Sequence, residues 1–374
     1  MPAPLTTTPA EGAHLFTLAG ERYHLVRKLD MTAGAQRLLA RRESPRGQGG
    51  LVVVKRLPAH ARWAQRRRLA HEAWVARRLN HPALVRVLHV ETGARRPLII
   101  MEHIDGVRLE RALTWAVRRG EHLPAPCAAF IAATVADALV HAHGLTDEWG
   151  RPLRLVHRDV SPSNILLSTR GEVLLTDLGA VLTGTSRRVR TAAHTLKGSV
   201  TYAAPEVLRM ERPDARADLF SLGLVLVEML TGRHLLDPPH QRAPVPLRGL
   251  FRKLLGRIWT EQDSWEDPAR LAAVAARLRP EHVAQVAHQA PQPLRAVAQR
   301  ALRVDPAARY ATAEQMRDEL RAYLASAHPG YGPEHLLAEM CALRALPRGG
   351  PHAPVESSQQ PLPAAFRRSP PARH

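Results

Sequence analysis

A chain of 374 residues with 45% hydrophobic side chains is long enough for two or three folding units and can bury a core. Its 53 Lys+Arg against 34 Asp+Glu give a formal charge of +19, yet no recognition motif or interleaved aromatics accompany the charge, so nucleic acid is not an expected partner. Only Lys28, Lys55, Lys197 and Lys253 are lysines; the arginine excess, beside abundant Ala, Pro and Leu, reads as compositional bias. Cys127 and Cys341 form neither a CxxC nor a disulfide framework, which suits a reducing cytoplasm. The start of the chain lacks a charged segment followed by an apolar one, and the apolar run Leu222 to Leu230 is short and interrupted by Glu228, so no membrane association is expected.

Residues 1–20 are rich in Pro, Thr and Ala and read as a loose leader. Tyr23 to Leu29 and Gln36 to Arg41 read as two strands, Ser44 to Gly50 as a turn-rich connector, and Leu51 to Leu57 as a third strand by its β-branched content. A helix follows from about Ala61 to Leu79, and Leu98 to Ile104 reads as a buried strand leading into a linker. Helices are expected at Leu109 to Arg119 and at Ala125 to Gly144, the latter with Ile131, Val135 and Leu139 on one face. His141 and His143 near its end do not share a face, which argues against a metal pair. Residues 237–246 read as a Pro-rich surface connection, Ala313 to Ala325 as a helix, Gly332 to Leu346 as a short amphipathic helix, and the tail from Pro347 as disordered.

The densest chemistry lies at residues 157–179, HRDVSPSNILLSTRGEVLLTDLG. Asn164 to Ser168 and Glu172 to Thr176 flank Thr169-Arg170-Gly171, a hairpin signal with glycine at the turn. Such a hairpin gathers Asp159, Asn164 and Asp177 in one place. Two carboxylates and a carboxamide are the oxygen donors a hard cation such as Mg²⁺ takes, usually shared with substrate phosphates.

This stretch resembles the catalytic core of the eukaryotic-like protein kinases, especially the bacterial Ser/Thr kinases. HRDxxxxN is intact as His157-Arg158-Asp159 with Asn164, and Asp177-Leu178-Gly179 stands for DFG. Further motifs follow in the family's order. Gly198 to Glu206, GSVTYAAPE, matches GTxxYxAPE; Asp218 matches the buried aspartate of the helix anchoring the lower lobe; Asp305 to Arg309 resembles DPxxR, whose Arg309 would pair with Glu206.

The resemblance implies an α+β, bilobal fold. An antiparallel-sheet N-lobe with one main helix spans 21–104 and a larger, mostly helical C-lobe 105–325, with a short helix and tail at 326–374. ATP and Mg²⁺ are the implied cofactors and proteins the implied substrates. Asp159 would orient the acceptor hydroxyl, Asn164 and Asp177 would hold Mg²⁺, and Lys55, kept in place by Glu72, would grip the nucleotide phosphates. Met101 would be the gatekeeper, with nucleotide contacts from Glu102 to Ile104 and from Leu166. A phosphate on Thr195, with Thr191 as rival, would pair with Arg158, and Ser199 would favour Ser/Thr acceptors.

Two departures qualify the match. The three positions of the glycine-rich phosphate loop hold Asp30, Thr32 and Ala35, Gly34 is one residue out of place, and the valine that covers adenine is Arg37. Ser161 stands where Ser/Thr kinases keep a lysine, and Ser163 where tyrosine kinases keep an arginine. The leading expectation is an active cytoplasmic Ser/Thr kinase that autophosphorylates; the alternative is a pseudokinase, catalytically weak or silent, acting as a scaffold or regulator. A small-molecule kinase fits less well, because the APE segment and Asp218 build a peptide platform.

Overall fold

Alternating apolar and polar residues build the first lobe as a twisted antiparallel sheet. The computed structural model describes residues 12–32, 35–45, 47–58, 60–93, 97–177, 200–236 and 268–345. The strands are β1 (His14–Leu18), β2 (Glu21–Thr32), β3 (Ala35–Ser44), β4 (Gly47–Arg56), β5 (Val87–Glu91) and β6 (Leu98–Glu102), in the spatial order β1-β2-β3-β4-β6-β5. Tyr23, Leu25, Leu38, Ala40, Val52, Val54, Leu98 and Ile100 pack together on one side of the sheet. On the other side Leu57 and Ile99 meet Leu69 and Ala73 of helix α1 (Trp63–Ala76). Leu69, Glu72, Ala73 and Ala76 recur at helical spacing on its buried stripe, so Glu72 is carried in among apolar neighbours.

Several sequence expectations need correction here. His14–Leu18 is a strand paired with β2 and not part of a loose leader. Strands β3 and β4 run on to the pair Ser44↔Gly47, which shrinks the turn-rich connector to two residues. Helix α1 is shorter at both ends than expected, and β5 was not foreseen; its five residues are only partly buried and carry no clean alternation. The expected disordered tail and the Pro-rich connection at 237–246 lie outside the described residues.

The second lobe is mostly helical. It comprises α2 (Leu109–Arg118), α3 (Ala125–His143), α4 (Pro205–Leu208), α5 (Arg216–Thr231), α6 (Pro268–Ala276), α7 (Pro280–Val286), α8 (Gln292–Ala301), α9 (Ala313–Ala327) and α10 (Pro333–Arg344). Helix α3 is long and apolar enough to cross a membrane, but it packs against α5 and α9 and is mostly buried as a core helix. A small sheet of β7 (Gly106–Arg108), β8 (Ile165–Ser168) and β9 (Val173–Leu175) contains the expected hairpin. Its turn requires Gly171: φ is +77° and the backbone of Pro333 abuts the position a side chain would fill.

Glu228, on α5, accepts a hydrogen bond from the Tyr202 hydroxyl at 2.5 Å. Burial pushes its carboxyl up to about 7, the Tyr202 bond opposes the rise and the charge of Glu110 adds to it. The folded pKa lies above the unfolded one, so ionising Glu228 penalises the fold: its penalty is absent below about pH 4.5 and grows as pH rises through about 7. Glu228→Gln removes that penalty. The melting temperature of the variant should fall less between pH 5 and pH 8 than that of the wild type, by an amount equivalent to at most about 3 kcal/mol; parallel curves would show that Glu228 ionises normally.

Candidate active site

The catalytic loop hangs from Asp218, a fully buried carboxylate in the first turn of α5. Its Oδ2 accepts the backbone N–H of His157 at 2.8 Å and the ring of His143 at 2.8 Å, and its Oδ1 accepts the N–H of Arg158 at 2.8 Å. Burial works to raise its pKa, but the bonds from His143 and the loop outweigh it and hold the group charged below the usual carboxylate range. Arg158 sits at φ +66° and Asp177 at φ +69°, a left-handed backbone that costs on the order of 1–3 kcal/mol per non-glycine residue. Asp218 supplies the bonds that hold Arg158 there. His143 is bonded to Asp218, and His141 stacks on His81.

Lys55 lies on β4 and is 2% exposed. Its Nζ donates to Glu72 Oε1 at 2.6 Å and to Asp177 Oδ1 at 2.7 Å. Burial acts to lower the lysine pKa, but Asp177 and Glu72 overcome it and leave the ammonium more firmly protonated than normal. Burial likewise acts against an ionised Asp177, yet Lys55, then Arg37, hold it far below the ordinary carboxylate range.

Arg37 is the unforeseen member of this group. The register pairs Asp30 with Arg37 across β2–β3 and Arg37 with Lys55 across β3–β4, so the three form one row on the cleft side of the sheet. Two cations directly opposite each other would repel. Here Asp177 lies between them: Arg37 Nη1 donates to Asp177 Oδ2 at 3.1 Å. Arg37 Nε lies 3.3 Å from Asp30 Oδ1, and Asp30 Oδ2 lies 3.2 Å from Arg108 Nη2. Arg108, at the end of β7, also donates to the carbonyl of Ser163 in the catalytic loop. Asp30 is thus a paired carboxylate between two guanidiniums. The strand pairing continues through Met31↔Gln36 to Thr32↔Ala35, so the residues at the glycine-loop positions stand in a regular ladder.

Asn164 follows a short turn after Asp159, and its Nδ2 donates to the carbonyl of Asp159 at 2.9 Å, which turns Oδ1 into the acceptor end. Asn164 and Asp177 therefore offer the hard oxygen donors that suit Mg²⁺, provided Asp177 yields one of its present partners. Leu166 is half-buried on β8, facing away from its buried neighbours Ile165 and Leu167. Met101 pairs with Val53 at the end of the sheet; the N–H of Glu102 is taken by the carbonyl of Arg86 at 3.0 Å, so an adenine contact there needs a different backbone group of residues 102–104. The Ser161 and Ser163 hydroxyls bond each other at 2.9 Å. Arg309 reaches Glu206 through two bonds of 2.7 and 2.8 Å and lies over the Phe220 ring. Leu178, Gly179, Thr191, Thr195 and Ser199 lie outside the described residues.

A sheet lobe and a helical lobe, with a lysine–glutamate pair, a catalytic-loop aspartate and asparagine and a second aspartate between them, define a protein of the kinase fold. A family profile described as "Protein kinase domain" matches residues 41–320, and the chain belongs to the protein kinase family, in its eukaryotic-like bacterial branch. It is similar to the tyrosine-protein kinase MasK of Myxococcus xanthus, 32% identical over 89% of this chain and 48% of the relative. It is also similar to the serine/threonine-protein kinase PknB of Mycolicibacterium smegmatis, 32% identical over 71% of this chain and 37% of the relative. The PknI kinase domain of Mycobacterium tuberculosis superposes with a TM-score of 0.52 at 26% identity, covering 84% of this chain and 99% of that one. The chain spans about half or less of the length of these curated relatives.

Removing one partner from the buried Glu206–Arg309 pair leaves a charge without its counter-ion. Arg309→Met should cost about 3–5 kcal/mol in urea unfolding, and Glu206→Gln together with Arg309→Met less than the sum of the single changes. Strict additivity would mean the pair is not coupled.

Proposed function

We propose that the chain is a Ser/Thr protein kinase that transfers the γ-phosphoryl group of ATP to protein hydroxyls, with Mg²⁺ as cofactor. The observation that carries this reading is Lys55 bonded at once to Glu72 and Asp177, at 2.6 and 2.7 Å, in a buried cleft above the Asp159 loop. Phosphoryl transfer asks a protein mainly for positioning and charge neutralisation. Lys55 would hold the phosphates, and Glu72 would keep it from collapsing onto other acceptors. Asp159 would orient the acceptor hydroxyl and take its proton as the new P–O bond forms and ADP leaves. Bound through Asn164 and Asp177, Mg²⁺ would neutralise charge developing on the phosphates.

The choice of Ser/Thr over Tyr is supported by relatives named as serine/threonine kinases, PknB among them, and by the lack of an arginine at position 163; the relative MasK is named a tyrosine kinase. Control by phosphorylation of Thr195 or Thr191 is part of the proposal. Arg158 would receive the phosphate, and the field of Arg68 from α1 adds positive charge there. Free Cys127 and Cys341 accord with a reducing cytoplasm. A pseudokinase is the second reading, favoured by the hold of Arg37 on Asp177 and by the lack of a lysine at Ser161.

Incorporation of label from [γ-³²P]ATP decides between them. Wild-type protein with Mg²⁺ should label itself and a generic protein acceptor, on Ser and Thr. Asp159→Ala and Lys55→Met should each lower the rate at least about 100-fold. Thr195→Ala should reduce phosphate content and activity together. No label from the wild type would favour the pseudokinase, and label on tyrosine alone would reverse the acceptor assignment.

A further inference from the structure

The side chain of Arg37 is 8% exposed and reaches into the cleft. It stands directly across the β3–β4 ladder from Lys55, and residues so paired have Cβ atoms about 4.5–5.5 Å apart. Its guanidinium and the Lys55 ammonium grip the two oxygens of one carboxylate, Asp177. A phosphate within reach of Lys55 is therefore within reach of Arg37 as well.

Two other features favour a cation at this point. A glycine loop binds phosphate through open backbone N–H groups, but here Asp30 to Thr32 and Ala35 to Arg37 are paired strand up to Thr32↔Ala35, and the two residues between them lie outside the described residues. Ser161, where a charged lysine is the usual residue, has its hydroxyl bonded to that of Ser163 at 2.9 Å. Both ordinary means of neutralising the phosphates are thus reduced. Arg37 is a planar, permanently charged fork suited to two phosphate oxygens at once, and Asp30 on one side keeps it extended along the cleft.

We propose that Arg37 is a nucleotide-phosphate-binding residue that replaces the amide cradle of a glycine loop. When ATP enters, its guanidinium passes from Asp177 to the phosphates. Asp177 Oδ2 is then available to the cation, and the strap Asp30–Arg108–Ser163 keeps the strand end above the catalytic loop. The inference rests on the ATP-binding reading of the cleft and deepens it.

Calorimetric titration of the full chain with ATP and, separately, with adenosine tests it, each with Mg²⁺ and with EDTA. Arg37→Val should weaken ATP binding about tenfold or more relative to adenosine binding in both conditions. Arg37→Lys keeps the charge but not the fork and should fall between the two. Melting curves establish that the variants fold; if the valine variant does not, equal ATP affinity in wild type and Arg37→Lys overturns the proposal. Equal or tighter ATP binding by Arg37→Val would likewise overturn it, making Arg37 a block on the cleft and leaving the kinase reading intact. Failure of the wild type to bind either ligand would remove both.

Discussion

An ammonium group cannot be taken out of water alone. Lys55 is almost fully buried, and its charge is tolerable only because Glu72 and Asp177 lie within 2.7 Å. Glu72 comes from α1, Lys55 from β4, and Asp177 from the exit of the β8–β9 hairpin. One desolvated charge thus sets where the helix stands against the sheet and where the second lobe's hairpin meets the first lobe. Losing either acid would leave the lysine under-compensated, so the geometry of the cleft and the stability of the lobe contact are the same constraint.

A second buried charge does the corresponding work below the cleft. Asp218 is held at the start of α5, deep in the helical core, and binds two successive backbone N–H groups of the catalytic loop. That loop has a non-glycine residue in left-handed backbone, which needs fixed partners to persist. The core of the second lobe therefore reaches the catalytic residues through a carboxylate as well as through the apolar packing of Val156 and Val160 on either side of them. Between the lobes, Arg108 ties Asp30 at the end of the sheet to the Ser163 carbonyl.

Much of this was legible in the chain. The hairpin around Gly171, the helices α2, α3 and α9, and the pairings Lys55–Glu72 and Arg309–Glu206 follow from motifs whose spacing is local or whose order is shared with a family. Reading failed where a residue's meaning depended on its neighbour in space. His14–Leu18 looks like leader because its five residues, HLFTL, follow a Pro/Thr/Ala-rich run and become a strand only against β2. On the sequence, Arg37 and Asp30 are departures from the family's phosphate loop. Each was weighed alone, whereas the register sets them side by side, with Lys55 next in the row.

By itself the sequence determined the family, the two-lobe architecture and which residues match the family's motifs. Those are properties of residue type and spacing along the chain, and hydrophobic periodicity and motif order carry them. Tertiary structure alone decided how the charges are shared. Whether Asp177 faces one cation or two, and whether Asp30 repels or anchors, depends on distances of about 3 Å between strands far apart in sequence. Coulomb energy at low dielectric changes steeply over such distances, so strand register, and not composition, turns a charged chain into a particular site.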